Sequence, residues 1–267
     1  MISRRQALWG TAAALATPGW VHAVQRESLT DPLRLAADDA LFESGLATAL
    51  QKAFGGDTGV AVNVVHGPAT PVLEALERGE YDAALTNAPP VEENLDKQGF
   101  VHDRQLITRG DFLIVGPTVL AKPLDAKRDV ALALQRLSQA AVPFMTRPDG
   151  SGTYLGEQSA WRAAKVEPKA PWYLTADGKA PLVAQAVKAN ACFFVERGMW
   201  LAQGAGMAGK GYGVLVDGDP RMDVEVHVMR TFRAERQHPA GKLFVAWISS
   251  SKGRHVAASH RGYKAAR

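Results

Sequence analysis

Apolar residues recur with two different spacings along the chain. Leu33, Leu35 and Ala37 alternate and predict a strand, whereas Leu46 to Phe54 has helical spacing. We expect Gly55-Gly56 to end that helix, because glycine is common just after a helix. By the same criteria, further strands are expected at residues 60–64, 81–85, 111–116, 142–145, 192–195, 212–216 and 224–229, and further helices at residues 71–78, 89–98, 130–140, 154–165, 181–189, 199–203 and 243–248.

This alternation of strands and helices predicts an α/β fold. Strands separated by helices are typical of βαβ units, in which the strands are parallel. The alternation restarts after the apolar run Asp111–Gly116, so we expect two α/β lobes that face a cleft. We expect the final helix to be interrupted near Ser249–Lys252, and the basic tail after Ser259 to be frayed.

The first 23 residues have the features of an export signal. Arg4 and Arg5 precede a small apolar stretch, Ala7–Thr17, and Val21-His22-Ala23 fits a cleavage site. The stretch is shorter than the roughly 20 residues that a membrane-spanning helix needs. An uncleaved amphipathic helix is disfavoured because the stretch carries no charged face. Residues 1–23 are therefore predicted to be a signal peptide, which directs the chain to the periplasm, and Ser3-Arg4-Arg5 also fits the twin-arginine route.

Composition and charge narrow the class of protein. The 267 residues are 46% hydrophobic and 22% charged, which is typical of a globular chain. The net charge is +4, and removal of the signal peptide leaves +2 with scattered basic residues, so we expect no nucleic-acid partner. The single cysteine, Cys192, cannot form an internal disulfide. Its apolar surroundings favour a buried strand residue over a nucleophile.

Two loops are candidates for the ligand site. The first, Ala36-Ala37-Asp38-Asp39-Ala40, lies between a predicted strand and a predicted helix. Helix N-termini present unpaired N–H groups that bind anions, so this loop is either a ligand contact or a simple cap. The residues alone favour Asp38 or Asp39 as an N-cap.

The second loop, Arg147 to Thr153, also joins a strand to a helix. Its two glycines allow a close approach of the backbone to a ligand, and Arg147 presents a guanidinium suited to an oxyanion. Ser151 and Thr153 add hydroxyl groups. A Pro-Asp-Gly turn with a capping hydroxyl and a solvated arginine explains the same residues equally well. Both loops follow strands at the edge where α/β sheets bind ligands.

Motifs for enzymes are missing from the sequence. Gly150-Ser151-Gly152 lacks the outer spacing of a nucleophile elbow, and the histidines of the mature chain do not have the spacing of zinc ligands. There is no Walker loop and no G-x-G-x-x-G motif. We therefore expect neither catalysis nor a cofactor. A metal-dependent module that uses Asp38, Asp39 and His66, and a hydrolase, remain alternatives.

Taken together, these segments resemble the periplasmic tungstate-binding proteins of ABC importers, which belong to the type II periplasmic solute-binding proteins. Arg147 to Thr153 is similar to the family loop Arg-Gly-Asp-Asp-Ser-Gly-Thr. The resemblance implies that Arg147 and Thr153 contact an oxyanion, with Ser151 and Gly152 in the same loop. Other matching segments are Glu43-Ser44-Gly45-Leu46, Gly79–Leu85, Asp111–Pro117, Trp161, Pro171-Trp172-Tyr173, Glu196-Arg197-Gly198 and Gly218-Asp219-Pro220.

The first loop departs from this family. The family has Thr-Thr-Thr-Ser where this chain has Ala37-Asp38-Asp39-Ala40. Each lost hydrogen bond to a charged ligand costs about 1.5–3 kcal/mol. A carboxylate about 4 Å from a unit of ligand charge adds about 1–4 kcal/mol of repulsion. We therefore expect tungstate binding to be weakened.

Three outcomes fit this substitution. The aspartates turn away as caps and leave backbone amides and Arg147 for an oxyanion. Alternatively they contact a cationic part of a zwitterionic or polyamine-like ligand, or Asp38 pairs with Arg147 and neutralises the cleft. The candidate ligand-binding residues are Ala37, Asp38, Asp39, Ala40, Arg147, Ser151, Gly152 and Thr153.

The resemblance implies a two-lobed type II periplasmic binding protein fold with the ligand cleft between the lobes. We assign residues 30–112 plus 223–267 to lobe one and residues 113–222 to lobe two. We expect a monomeric solute-binding protein of an ABC importer, with an inner-membrane permease as its partner. Its ligand would be a tungstate- or molybdate-like oxyanion, or a small polar ligand of shifted specificity. A periplasmic sensor that signals without transport is the main alternative.

Overall fold

In the computed structural model, which describes residues 29–178, 180–232 and 238–266, helices alternate with strands for most of the chain. The predicted signal peptide lies outside these residues. Within them, no helix has the length and apolar content needed to cross a membrane. The strands are β1 (Leu33–Asp38), β2 (Val62–Gly67), β3 (Ala83–Thr86), β4 (Val101–Pro117), β5 (Phe144–Thr146), β6 (Tyr173–Thr175), β7 (Cys192–Glu196), β8 (Tyr212–Val216), β9 (Asp223–Thr231) and β10 (Lys264–Ala265). The α-helices are α1 (Asp39–Glu43), α2 (Leu46–Thr58), α3 (Ala69–Glu77), α4 (Pro89–Lys97), α5 (Ala121–Leu124), α6 (Val130–Gln139), α7 (Gly152–Ala164), α8 (Leu182–Lys188), α9 (Arg197–Gln203), α10 (Gly241–Ile248) and α11 (Ser251–Ser259).

The strands form a mixed sheet in the order β2-β1-β3-β9-β4-β7-β5-β6, and β8 and β10 also pair with β4. β1 is parallel to β2 and β3, and β5 is parallel to β6 and β7, as expected for βαβ units. The expectation of parallel strands is wrong for the middle of the sheet, because β9 is antiparallel to β3 and β4, and β4 is antiparallel to β7 and β8. The reason is the path of the chain: β4 crosses the centre of the sheet in one direction, and β9 returns across it in the other.

The 17-residue strand β4 changes partners along its length. Val101 to Asp111 pair with β9, and Phe112 to Pro117 pair with β7 and β8. We call β1, β2, β3, β9, β10 and residues 101–111 of β4 the first half of the sheet. β5 to β8 and residues 112–117 form the second half. The change of partners lies beside the predicted lobe boundary at residue 112.

Apolar residues are buried on both faces of each half. In the second half, Phe112 and Ile114 pack in one cluster, and Leu113 and Val115 pack in another. This alternation follows from the two-residue period of a strand that is covered on both faces. The first half has a corresponding main cluster around Leu35, and a smaller one on its other face.

Two expectations about chain ends are wrong. α2 continues through Gly55-Gly56 and ends at Thr58, and the following Gly59 has a φ of 72°, a left-handed conformation that glycine adopts readily. The tail after Ser259 is not frayed, because Tyr263 is buried and its hydroxyl lies 2.9 Å from the Ser44 hydroxyl. The large apolar surface of the tyrosine ring explains why a basic tail folds back.

Candidate functional site

The two candidate loops come from different halves and contact each other. The β1–α1 junction follows a first-half strand, and the β5–α7 loop follows a second-half strand. Thr70 of α3 donates two hydrogen bonds to the Gly150 carbonyl, from its backbone nitrogen at 3.0 Å and from its hydroxyl at 2.9 Å. The second loop therefore contacts the first half directly through these two hydrogen bonds.

Asp38 lies at the centre of this contact. It is the last residue of β1 and the N-cap of α1, and it is fully buried. Its Oδ1 accepts a hydrogen bond from the Ala40 amide at 2.9 Å, and its Oδ2 accepts one from the Gly152 amide at 3.1 Å. One carboxylate thus joins the first turn of α1 to the first turn of α7, across the two halves.

The pKa of Asp38 is raised from 3.8 to about 7, mainly because burial removes its carboxylate from water. The amides of Gly152 and Ala40 lower the pKa, and the charges of Asp39 and Asp149 raise it. The desolvation of the carboxylate therefore outweighs its two hydrogen bonds.

Arg147 pairs with carboxylates other than Asp38. Its Nε donates a hydrogen bond to Asp149, and its Nη2 lies 3.7 Å from Asp39 Oδ2. Asp39 in turn lies 2.7 Å from His66 Nδ1. Of the three outcomes that the sequence left open, the described contacts do not include a pair between Asp38 and Arg147; Asp38 caps α1 and still lines the cavity. The charge of the guanidinium is shared between two other carboxylates.

These side chains surround a cavity of about 20 Å³, which is the size of roughly one water molecule. Of the predicted ligand-binding residues, the cavity is lined by Asp38, Asp39, Ala40, Arg147, Ser151 and Thr153. Gly152 contributes its amide to Asp38, and Ala37 is buried in the apolar core of the first half. The lining residues that sequence reasoning missed are Tyr154, Glu157, Leu182, Phe194, Val195 and Met199.

Glu157 is the missed residue with the most distinctive chemistry. It is buried and accepts hydrogen bonds from Tyr173 at 2.6 Å, Thr146 at 3.0 Å and Trp161 at 3.1 Å. Burial raises the pKa of Glu157 to about 7, against the effect of these three donors. Its helical spacing from Thr153 and Trp161, four residues to either side, is the sequence signal that could have placed it on the same face.

Glu196 is a third buried acid, after Asp38 and Glu157. Glu196 accepts a hydrogen bond from the Asn87 amide at 2.7 Å, and burial raises its pKa to about 8. The Asp38 charge raises this pKa further, and the nearby Tyr263 hydroxyl and the Asn87 amide lower it. Residue 152 must be glycine here, because a Cβ would lie 1.9 Å from Asn87 Oδ1.

The arrangement does not suggest a metal centre. Among the described residues, no group of three or more histidine, cysteine or acidic side chains is placed to hold a metal ion. Asp39 and His66 form a pair, whereas Asp38 is bound to amides. The alternative of a metal-dependent module gains no support from this geometry.

A larger cavity of about 360 Å³ lies along another face of α7. It is mostly walled by apolar groups such as Pro89, Phe112 and Leu155, and Arg162 is at its side. Gly152 lines this larger cavity, and its amide donates to Asp38, which lines the first cavity. Any ligand assay must therefore distinguish the two cavities.

Two α/β units joined by adjacent strands, with loops of both units meeting at one small cavity, are the arrangement of the bilobal solute-binding proteins. A family model described as the PBP superfamily domain matches residues 24–250, and the chain belongs to this superfamily. The expected type II fold is thereby confirmed, and the family consists of binding proteins rather than enzymes.

Individual relatives and solved structures show which members of the superfamily this chain is similar to. The chain is 27% identical over 258 residues to the tungstate-binding protein TupA of Peptoclostridium acidaminophilum, which covers 94% of this chain and 87% of that protein. It is 26% identical to TupA of Campylobacter jejuni, over 78% of this chain and 80% of the relative. A crystal structure of the tungstate ABC transporter from Geobacter sulfurreducens has a TM-score of 0.74 at 26% identity, and covers 85% of this chain and 98% of that chain. The resemblance to the tungstate-binding family is thus confirmed.

Proposed function

We propose that this chain is the extracytoplasmic solute-binding protein of an ABC importer, and that it binds a small oxyanion at the cavity between the β1–α1 junction and the β5–α7 loop. The observation that carries the proposal is that both halves contribute polar groups to this one cavity, with Arg147 at its wall. The names of the relatives, tungstate-binding protein and tungstate ABC transporter, support the class of ligand.

In this proposal the halves act as two lobes, residues 30–112 with 223–267 and residues 113–222, which close on the ligand by bending at β4 and β9. The partner is an inner-membrane permease, and the exported chain works as a monomer. Ser151 and Thr153 supply hydroxyl donors, and Arg147 supplies the charge. Asp39 and Asp149 compete for that charge, so a ligand must displace at least one of these contacts.

The test is a thermal-shift and calorimetric panel of tungstate, molybdate, sulfate and phosphate on the purified protein. A ligand present at 100 times its Kd stabilises the protein by about 2.7 kcal/mol. We expect Arg147→Ala to abolish the response to oxyanions. The matched control is Arg162→Ala, which removes the same charge from an exposed residue of the larger cavity.

Three results are informative. A response that survives Arg162→Ala and is lost with Arg147→Ala supports the proposed site. The opposite result moves the site to the larger cavity, and an equal loss in both variants indicates a nonspecific effect of charge. Lower uptake of the bound oxyanion by cells that lack the gene would support transport over sensing.

A further inference from the structure

The carboxylate of Asp38 occupies backbone donors that a bound oxyanion would otherwise use. Both of its oxygens are engaged, one with the Ala40 amide and one with the Gly152 amide, at 2.9 and 3.1 Å. We propose, on the basis of the function proposed above, that Asp38 is the specificity-determining residue of the site: a dianion binds only when Asp38 takes up a proton from solvent and releases these amides.

Space is the first argument. The cavity beside Asp38 measures about 20 Å³, which is less than an ion of five heavy atoms requires. We expect an oxyanion to enter when Asp38 moves or the halves separate. The bond to Gly152 breaks in either case, because Asp38 and Gly152 belong to different halves. The displaced carboxylate then faces the ligand within the same enclosure.

Charge is the second argument. Arg147 is shared with Asp39 and Asp149, so it cannot neutralise both an ionised Asp38 and a dianion. A buried ion without a partner is strongly disfavoured, and a carboxyl group escapes this cost by binding a proton. The titratable and charged groups around Asp38 are Asp39 on α1, His66 on β2 beside Asp39, Arg147 and Asp149 in the β5–α7 loop, Glu157 on α7, Glu196 at the end of β7, and Tyr263 in the tail.

Proton uptake gives the proposal a quantitative signature. Since the pKa of Asp38 is raised to about 7, the free protein carries an ionised Asp38 above that pH. Binding of a dianion should then consume one proton, so affinity should fall about tenfold for each pH unit between 7 and 9. Below pH 7 the dependence should level off.

The experiment is isothermal titration calorimetry with sodium tungstate and with sodium sulfate between pH 7 and 9, where both remain dianions. Two buffers of different ionisation enthalpy count the protons taken up. We expect close to one proton per anion for the wild type above pH 8. Asp38→Asn and Asp38→Ser should take up none. Asp38→Ser should also bind about tenfold tighter than the wild type at pH 8, and about a hundredfold tighter at pH 9.

Two controls remove a carboxylate far from the cavity and the imidazole beside Asp39. Asp129 is also an N-cap and accepts a hydrogen bond from the Leu132 amide at 3.0 Å, but it precedes α6 and does not line the cavity. Asp129→Asn should therefore keep the proton uptake of the wild type. His66→Gln should keep it as well, which excludes the imidazole as the titrating group.

The outcomes separate the two proposals. If the wild type binds either anion without proton uptake, or if Asp38→Asn keeps the pH slope of the wild type, the role of Asp38 is overturned and the binding function stands. If circular dichroism shows folded wild type and Asp38 variants, and none of them binds an oxyanion at any pH, both proposals are overturned.

Discussion

The buried carboxyl groups predict that the protein loses stability as the pH rises from 5 to 8. The pKa values of Asp38 and Glu157 are raised to about 7 and that of Glu196 to about 8. The folded state therefore binds these protons more tightly than the unfolded state. Stability contributed by such groups is fully present below their unfolded pKa values and is lost as pH rises through the folded ones. For Asp38, the rise from 3.8 to about 7 corresponds to about 4 kcal/mol across the whole interval.

The assay is urea unfolding at pH 5, 6, 7 and 8. Asp38→Asn should flatten the curve by about 1 kcal/mol per pH unit near pH 6, whatever its effect on absolute stability. Asp129→Asn is the control. The Leu132 amide lowers the pKa of Asp129, so this carboxylate contributes to the pH dependence of stability only below pH 5. A wild-type free energy of unfolding that stays constant or rises from pH 5 to 8 would refute the reasoning. So would an Asp38→Asn curve parallel to the wild type.

Other predictions concern packing. Gly152→Ala should lower the free energy of unfolding in urea by about 1–3 kcal/mol, since its Cβ would collide with Asn87. A variant as stable as the wild type would contradict this close approach. Gly56→Ala should instead raise the free energy of unfolding by about 0.5–1 kcal/mol, because this glycine lies inside α2 with open space around it. A lower free energy of unfolding would contradict the assignment of residue 56 to the helix. Cys192 is buried and its pKa is raised to about 12, so a thiol reagent should label it only as urea unfolds the protein, and rapid native labelling would show that it is accessible. Tyr263→Ala should lower the free energy of unfolding by about 3–5 kcal/mol, because the buried ring is lost. An unchanged thermal midpoint would indicate that the tail after Ser259 is frayed.

The sequence predicts elements well where local signals agree with packing. Gly79 and Gly99 follow α3 and α4 with left-handed φ values of 78° and 74°, as expected for helix ends. The first part of β4 was missed because its side chains are mostly polar. Arg104 pairs with Glu92, and Arg109 with Glu225, so ion pairs take the place of an apolar stripe.

The position of the candidate site could be predicted from the sequence, whereas the hydrogen bonds between its loops could not. Both loops follow strands, and the residue types of Arg147, Ser151 and Thr153 pointed to an anion. The bond between Asp38 and Gly152 joins residues 114 positions apart, so it depends on how the halves meet and not on any local pattern. The residues alone favoured a cap, and the structure adds that the same carboxylate also caps the opposite helix.

The pairing of β4 with β9 has a consequence for the engineering of this chain. Asp111 lies opposite Asp223 in that ladder, so residues 112–222 leave and re-enter the first half at one point. In sequence order, the second half therefore lies between two segments that together form the first half. Two residues opposed in an antiparallel ladder are as close as a short hairpin loop requires. These two positions are therefore the natural junctions for excising the second half, or for grafting another binding half to make a chimeric receptor.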